Sequence, residues 1–117
     1  MTTAAGSRAW IYAIDLPMLM AGVKLPSSHG IDVALTFNPY DDAGHTVPKF
    51  VDHPQAAEIA RRWVRMLGHF ARTGEPGEAL GPWPAYEATR RATMFVAAGG
   101  CTVKDHIETK FRADVWR

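Results

Sequence analysis

Apolar positions along the 117-residue chain fall into five segments, each with its own period. Residues 8–15 (RAWIYAID) are rich in aromatic and β-branched side chains. Both alternating faces, Trp10/Tyr12/Ile14 and Ala9/Ile11/Ala13, are apolar, which predicts a strand buried on both sides. A loop rich in Pro, Gly and Ser follows over residues 16–28, then a short apolar segment over 31–37. Turn chemistry fills residues 38–53, with Asn38-Pro39, Asp41-Asp42, Gly44 and Pro48. In residues 54–73 the period lengthens. Ile59, Trp63, Leu67 and Phe70 recur at steps of four and three, with Glu58, Arg61, Arg62, Arg65 and His69 between them, so the segment is predicted to be an amphipathic helix. Asp52 or His53 before Pro54 suits its start, and Gly74 with Pro76 suits its end. Residues 75–90 read as a loop, and Ala92–Ala97 as a strand stopped by Gly99-Gly100. In residues 104–117, Ile107, Phe111 and Val115 lie four apart among charges, the pattern of a short helix.

A strand of the first kind needs neighbours on each edge and layers on each face. Little else in the chain could supply them. Length sharpens the point, because 117 residues suffice for one domain that buries roughly two thirds of its unfolded surface, yet they exclude a complete large enzyme. Composition is that of an ordinary soluble globular protein, 47% hydrophobic and 21% charged. Three basic residues face five acidic ones up to position 53, and ten face seven beyond it. Neither half is basic enough to imply nucleic acid or an anionic membrane. The longest stretch without Asp, Glu, Lys or Arg is 12 residues, 92–103, short of the ~20 that span a bilayer. Residues 16–23 fail as a signal segment because Asp15 and Pro17 interrupt them and no basic region precedes them, so no targeting signal is expected.

Candidate chemistry is sparse. Cys101 is the single cysteine, which rules out an internal disulfide and a cysteine-based zinc module, and a structural thiol is its expected role. The five histidines, 29, 45, 53, 69 and 106, show no spacing that would put two imidazoles on one metal. Asp41, Asp42 and His45 read as a solvated turn, and no metal or cofactor is expected. Arg61, Arg62, Arg65, Arg90 and Arg91 read as a solvated face tempered by Glu58 and Glu75, not as a nucleic-acid patch. The serines, Ser7, Ser27 and Ser28, lie outside any G-x-S-x-G elbow, so a hydrolytic nucleophile is absent. His29 stands apart. It ends a loop after the first strand, where α/β folds hold reactive groups, with Gly30 permitting close backbone approach.

The segment Lys24-Leu-Pro-Ser-Ser-His-Gly-Ile-Asp-Val-Ala-Leu-Thr-Phe37 resembles the histidine loop of type-B carboxylesterases, the α/β-hydrolase family of cholinesterases and bacterial para-nitrobenzyl esterases. The surroundings are similar in order and spacing. Residues 10–15 look like the strand before that loop, and residues 63–76, ending Phe-Ala-Arg-Thr-Gly-Glu-Pro, like a late helix and its exit. Trp83-Pro-Ala-Tyr86 and Arg91-Ala-Thr-Met-Phe95 look like the last loop and strand, and Trp116 falls where the final helix often carries one. The resemblance runs from about residue 6 to 116 and implies an α/β class. It makes residues 1–117 a single partial domain, the C-terminal part of an α/β-hydrolase fold, incomplete on its own. It also implies that His29 is the triad base, supported by Gly30 and Asp32, although the family more often has Glu at the latter position and draws its triad acid from an earlier loop. The serine elbow, oxyanion hole and triad acid would all lie outside the chain.

Three roles remain open on this reading. The chain is a fragment of a serine carboxylesterase acting on small-molecule carboxylic esters and inactive alone. Alternatively, it completes a hydrolase by associating with a separate chain that holds the serine. A third role is a non-catalytic interaction module derived from a hydrolase. Each anticipates association with the missing portion or with itself, because a strand of the buried type exposes an unpaired edge.

Overall fold

A computed structural model describes residues 6–20, 22–37, 51 and 54–107. Outside them lie the turn read at residues 38–50, Asp41, Asp42 and His45 included, and Asp52 and His53; the helix expected to start at those two residues begins instead at Ala56, with Gln55 at its N-cap. The tail helix beyond Ile107, with Phe111, Val115 and Trp116, lies outside as well.

Strand β1, Ile11–Asp15, runs parallel to β4, Ala92–Ala97, with Ile11 opposite Thr93 and Asp15 opposite Ala97. β4 also pairs antiparallel with β5, Gly100–Asp105, giving the order β1-β4-β5. The parallel step from β1 to β4 needs a long crossover. It contains a two-stranded hairpin, β2 (Met18–Met20) with β3 (Val23–Leu25), and two helices, α1 (Ile31–Thr36) and α2 (Ala56–Thr73).

Flanked on both edges, β4 is the most buried strand, and Met94 and Val96 are almost inaccessible. Leu16, Leu35, Trp63 and Leu80 join them in one core cluster from the β1 end, α1, α2 and the 75–90 loop. α2 ends as predicted: Gly74, at φ 80°, donates its N–H to the Phe70 carbonyl at 2.8 Å, a left-handed cap that glycine adopts without steric cost.

Four expectations are corrected. β1 is not buried on both faces, for Tyr12 and Asp15 are exposed and the other residues only half-buried. The physical reason is its place at the edge of the described sheet, uncovered on one side. Residues 16–28 are not simply a loop, because β2 and β3 pair within them. Ala92–Ala97 is the strand expected and ends before Gly99-Gly100, but the glycine pair does more than end it. It reverses the chain into β5, so that Lys104 and Asp105 are strand and not helix. The buried stripe of α2 is Ala56, Ile59, Ala60, Trp63 and Met66, while Phe70 is exposed.

Of the five arginines read as a solvated face, Arg61, Arg62, Arg90 and Arg91 have protein partners. Arg61 bridges Glu58 at 3.1 Å, Arg62 donates to the Ala79 carbonyl at 2.9 Å, and Arg90 meets Asp105 at 2.9 Å. Arg62 is half-buried, unlike the solvated residue expected. Its charge lies near Cys101, which is half-buried on β5. Burial pushes this thiol above its ordinary 9.0, and the Arg62 charge only partly opposes that shift. Because the thiolate is the nucleophile, Cys101 is expected to react with iodoacetamide at pH 8 more slowly than free cysteine, with a pH–rate midpoint above 9.0. A faster reaction or a lower midpoint would refute a structural role.

Candidate active site around His29

The site begins at the carboxyl end of β1. The β2–β3 hairpin leaves and re-enters there, so His29 follows that hairpin instead of following β1 directly. Ser27 anchors the return by donating its hydroxyl to the Ile14 carbonyl at 2.6 Å. His29 and Gly30 then form the turn that opens α1. Gly30 has φ 89°, a left-handed conformation, and a Cβ built on it would meet nothing within 4 Å. Glycine is required there by backbone conformation. No described residue makes the close backbone approach read for Gly30.

His29 is exposed, and no side-chain hydrogen bond joins it to another described residue. Ser28, its neighbour, donates its hydroxyl to the Pro26 carbonyl at 2.9 Å, and Ser27 is committed to β1. Neither serine proton is directed at the imidazole.

Asp32 lies in the first turn of α1, three residues from His29, yet both its oxygens are engaged elsewhere. Oδ2 accepts from the Tyr12 hydroxyl at 2.9 Å and Oδ1 from the Val33 N–H at 3.0 Å. Asp32 therefore ties α1 to β1. Its backbone carbonyl accepts from the Thr36 hydroxyl at 2.7 Å, and that hydroxyl accepts from the Trp63 indole N–H at 3.0 Å. The circle closes through the rings of Trp63 and Tyr12, edge to face with centroids 4.8 Å apart. Burial, followed by the hydrogen bond to Asp32 and its charge, raises the Tyr12 phenol above its ordinary 10.0. The phenol thus stays protonated and donating at neutral pH.

Sequence reasoning identified His29, Gly30 and Asp32 but not Tyr12, Ser27 or Thr36. The Asp32–Thr36 spacing of four is a helical-neighbour signal, whereas the Tyr12–Asp32 separation of 20 carries none. Two clefts among the described residues have other linings. One of about 630 Å³ is lined by residues including Arg8, Trp10, Glu75, Trp83 and Arg90, and another of about 330 Å³ by residues including Trp10, Tyr12, Met66 and Phe70. His29 lines neither. Among the described residues no group of three or more His, Cys, Asp or Glu could hold a metal ion, and no helix is long and apolar enough to cross a membrane.

No protein-family model matches the sequence, and no curated protein is detectably similar to it. Solved structures are similar. A thermophilic PNB (para-nitrobenzyl) esterase superposes with a TM-score of 0.69 at 19% identity, over 91% of this chain and 21% of its own. An esterase from the anaerobe Clostridium hathewayi, which can hydrolyse aliphatic aromatic polyesters, gives 0.70 at 22% identity, over 92% and 21%. The carboxylesterase of Geobacillus stearothermophilus gives 0.68 at 27% identity, over 95% and 22%. The chain spans about a fifth of the length of these enzymes. With its mixed sheet, its helices and this extent of superposition, the chain has the fold of a segment of the para-nitrobenzyl esterases and carboxylesterases, enzymes of the α/β-hydrolase class.

Proposed function

We propose that the chain is the C-terminal, histidine-bearing part of a serine carboxylesterase, and that it hydrolyses no ester by itself. The reading rests on one observation. The imidazole of His29 stands exposed in a turn whose two sides are fastened to the same strand, by Ser27 to Ile14 and by Asp32 to Tyr12. A general base needs that combination of access and fixed position. The likeness to serine esterases over more than nine tenths of the chain, and about a fifth of theirs, gives the role its chemistry.

In the complete site His29 takes the proton of a serine hydroxyl as its oxygen attacks the ester carbonyl. It returns that proton to the alcohol oxygen as the C–O bond breaks, leaving an acyl-serine. Water then repeats the sequence and releases the acid. The substrate class is a carboxylic ester, and no metal or redox group takes part. Asp32 acts on His29 through the backbone of α1 and not as the acid of the triad, because its carboxylate faces Tyr12.

A second reading, a subunit that completes a hydrolase held on another chain, is favoured by β1. Its outer edge is unpaired among the described residues, and the flank beside it exposes Tyr12 and Phe70. Lysine and proline, common protections of sheet edges, are both missing from β1.

The purified chain is expected to hydrolyse para-nitrophenyl acetate no faster than buffer. Turnover that His29→Ala abolishes would overturn the view that the missing serine is essential. Sequencing the DNA upstream of Met1 separates the two readings. A G-x-S-x-G codon run in any frame joined to this gene supports the fragment, and the same motif in a neighbouring gene supports the complementing subunit.

A further inference from the structure

We infer that Tyr12 is a positioning residue for His29, holding the turn that carries the imidazole through the carboxylate of Asp32; this rests on the reading of His29 as the base. α1 has only six residues and begins at a glycine with no side-chain cap. A helix this short does not hold itself, so contacts from outside must set its direction. Ile31 and Leu35 bury one side of it in the core and fix its depth. Apolar contacts are non-directional, however, and set the rotation of the helix less sharply than hydrogen bonds do. Directional bonds add to them. Asp32 and Thr36, one turn apart, bind Tyr12 and Trp63, whose rings pack together.

Of these bonds, the one from Tyr12 lies nearest the base, on a residue three positions beyond it. On the preceding side, two positions before the base, Ser27 is bonded to Ile14. Residues 28–31 are thus suspended between Tyr12 and Ile14 of a single strand, which is itself registered along its whole length with β4. A general base misplaced by about 1 Å can cost on the order of 10²-fold in rate. Removing one suspension point therefore acts on the proton transfer through the position of His29, although Tyr12 touches no reacting atom.

The test is nuclear magnetic resonance on the full chain, with no substrate needed. In the parent, the backbone order parameters of Gly30, Ile31, Asp32 and Val33 are expected near the rigid value of about 0.85, with one His29 Hε1 resonance. Tyr12→Phe keeps the ring against Trp63 and removes only the hydroxyl. It is expected to lower those four order parameters below about 0.6 and to split or broaden the His29 signal, with α2 and β4 unchanged. Asp32→Ala should reproduce the effect. Asp32→Asn keeps an acceptor for Tyr12 but gives up the bond from the Val33 N–H, so its order should lie between that of Asp32→Ala and the parent. Unchanged order in both Tyr12→Phe and Asp32→Ala would overturn the inference, as would a loss spread evenly over α2 and β4. Should Tyr12→Phe fail to fold, the contrast between Asp32→Ala and Asp32→Asn decides alone. Failure of the base reading looks different: an assembled esterase would keep its turnover in His29→Ala while the resonance effects persisted.

Discussion

Replacing Trp63 with alanine lowers the unfolding free energy of the chain by about 3–5 kcal/mol, the usual cost of deleting a buried large aromatic side chain. The indole is 2% exposed and sits midway along α2, so truncation leaves a void that the helix and sheet cannot both close. It also removes three connections at once. The edge-to-face contact with Tyr12 on β1 is lost, as is the hydrogen bond to Thr36 on α1, and with them the centre of the core cluster that Leu16, Leu35 and Leu80 complete. Domains of this size are stable by about 5–15 kcal/mol, so the variant should be marginal. Urea unfolding followed by far-ultraviolet circular dichroism measures the loss. A cost below about 1 kcal/mol would mean that α2 and the sheet are not held together at Trp63. Trp63→Phe, which keeps a ring for Tyr12 but not the donor to Thr36, should fall between the parent and the alanine variant.

That core was partly legible in the sequence. Trp63 and Ile59 declared themselves by helical spacing, and Gly74 marked the end of α2 through the left-handed conformation glycine tolerates. Periodicity alone did not decide between Met66 and Phe70. Both fit an apolar stripe, and the choice depends on where β1 and the 75–90 loop lie against the helix. β5 was hidden by a competing signal. Cys101 and Val103 do alternate with the exposed Thr102 and Lys104, but the glycine pair before them reads equally well as a stop or as a hairpin turn. β2 and β3 are three residues each, too short for a period to form. As for β1, its residues record that it is apolar on both faces, not whether a partner lies on each edge.

The site was less legible than the core, and for a different reason. A lone histidine in a loop has no local pattern that distinguishes a base from a surface residue, so His29 stood out only through the likeness of the segment around it. Asp32 illustrates the limit of spacing arguments. It lies three positions beyond His29, yet its carboxylate turns towards a strand residue 20 positions earlier in the chain. Contacts of that range depend on how β1, the hairpin and α1 pack, which the intervening residues do not encode locally. Tyr12 consequently looked like one more aromatic residue of a strand, when its hydroxyl is what fastens the strand to the turn.

The largest functional effect belongs to His29 itself. In an esterase assembled by coexpressing this chain with the portion that carries the serine, His29→Ala is expected to lower kcat on the order of 10⁶-fold, the scale of loss when the base of a serine-hydrolase triad is removed. kcat and kcat/KM should fall together. Proton transfer stabilises the transition state and not the bound ester, so KM should change little. His29→Gln, which retains a polar side chain of similar reach but cannot cycle a proton near neutral pH, should be as inactive as the alanine variant. Steady-state hydrolysis of para-nitrophenyl acetate gives kcat, KM and their ratio. A fall of less than about tenfold in kcat would set His29 outside the reaction, because a positioned base alone contributes at least about 10²-fold. The turn would then remain what its hydrogen bonds already make it, a fastening between β1 and α1, without the proton transfer that its exposed imidazole is proposed to perform.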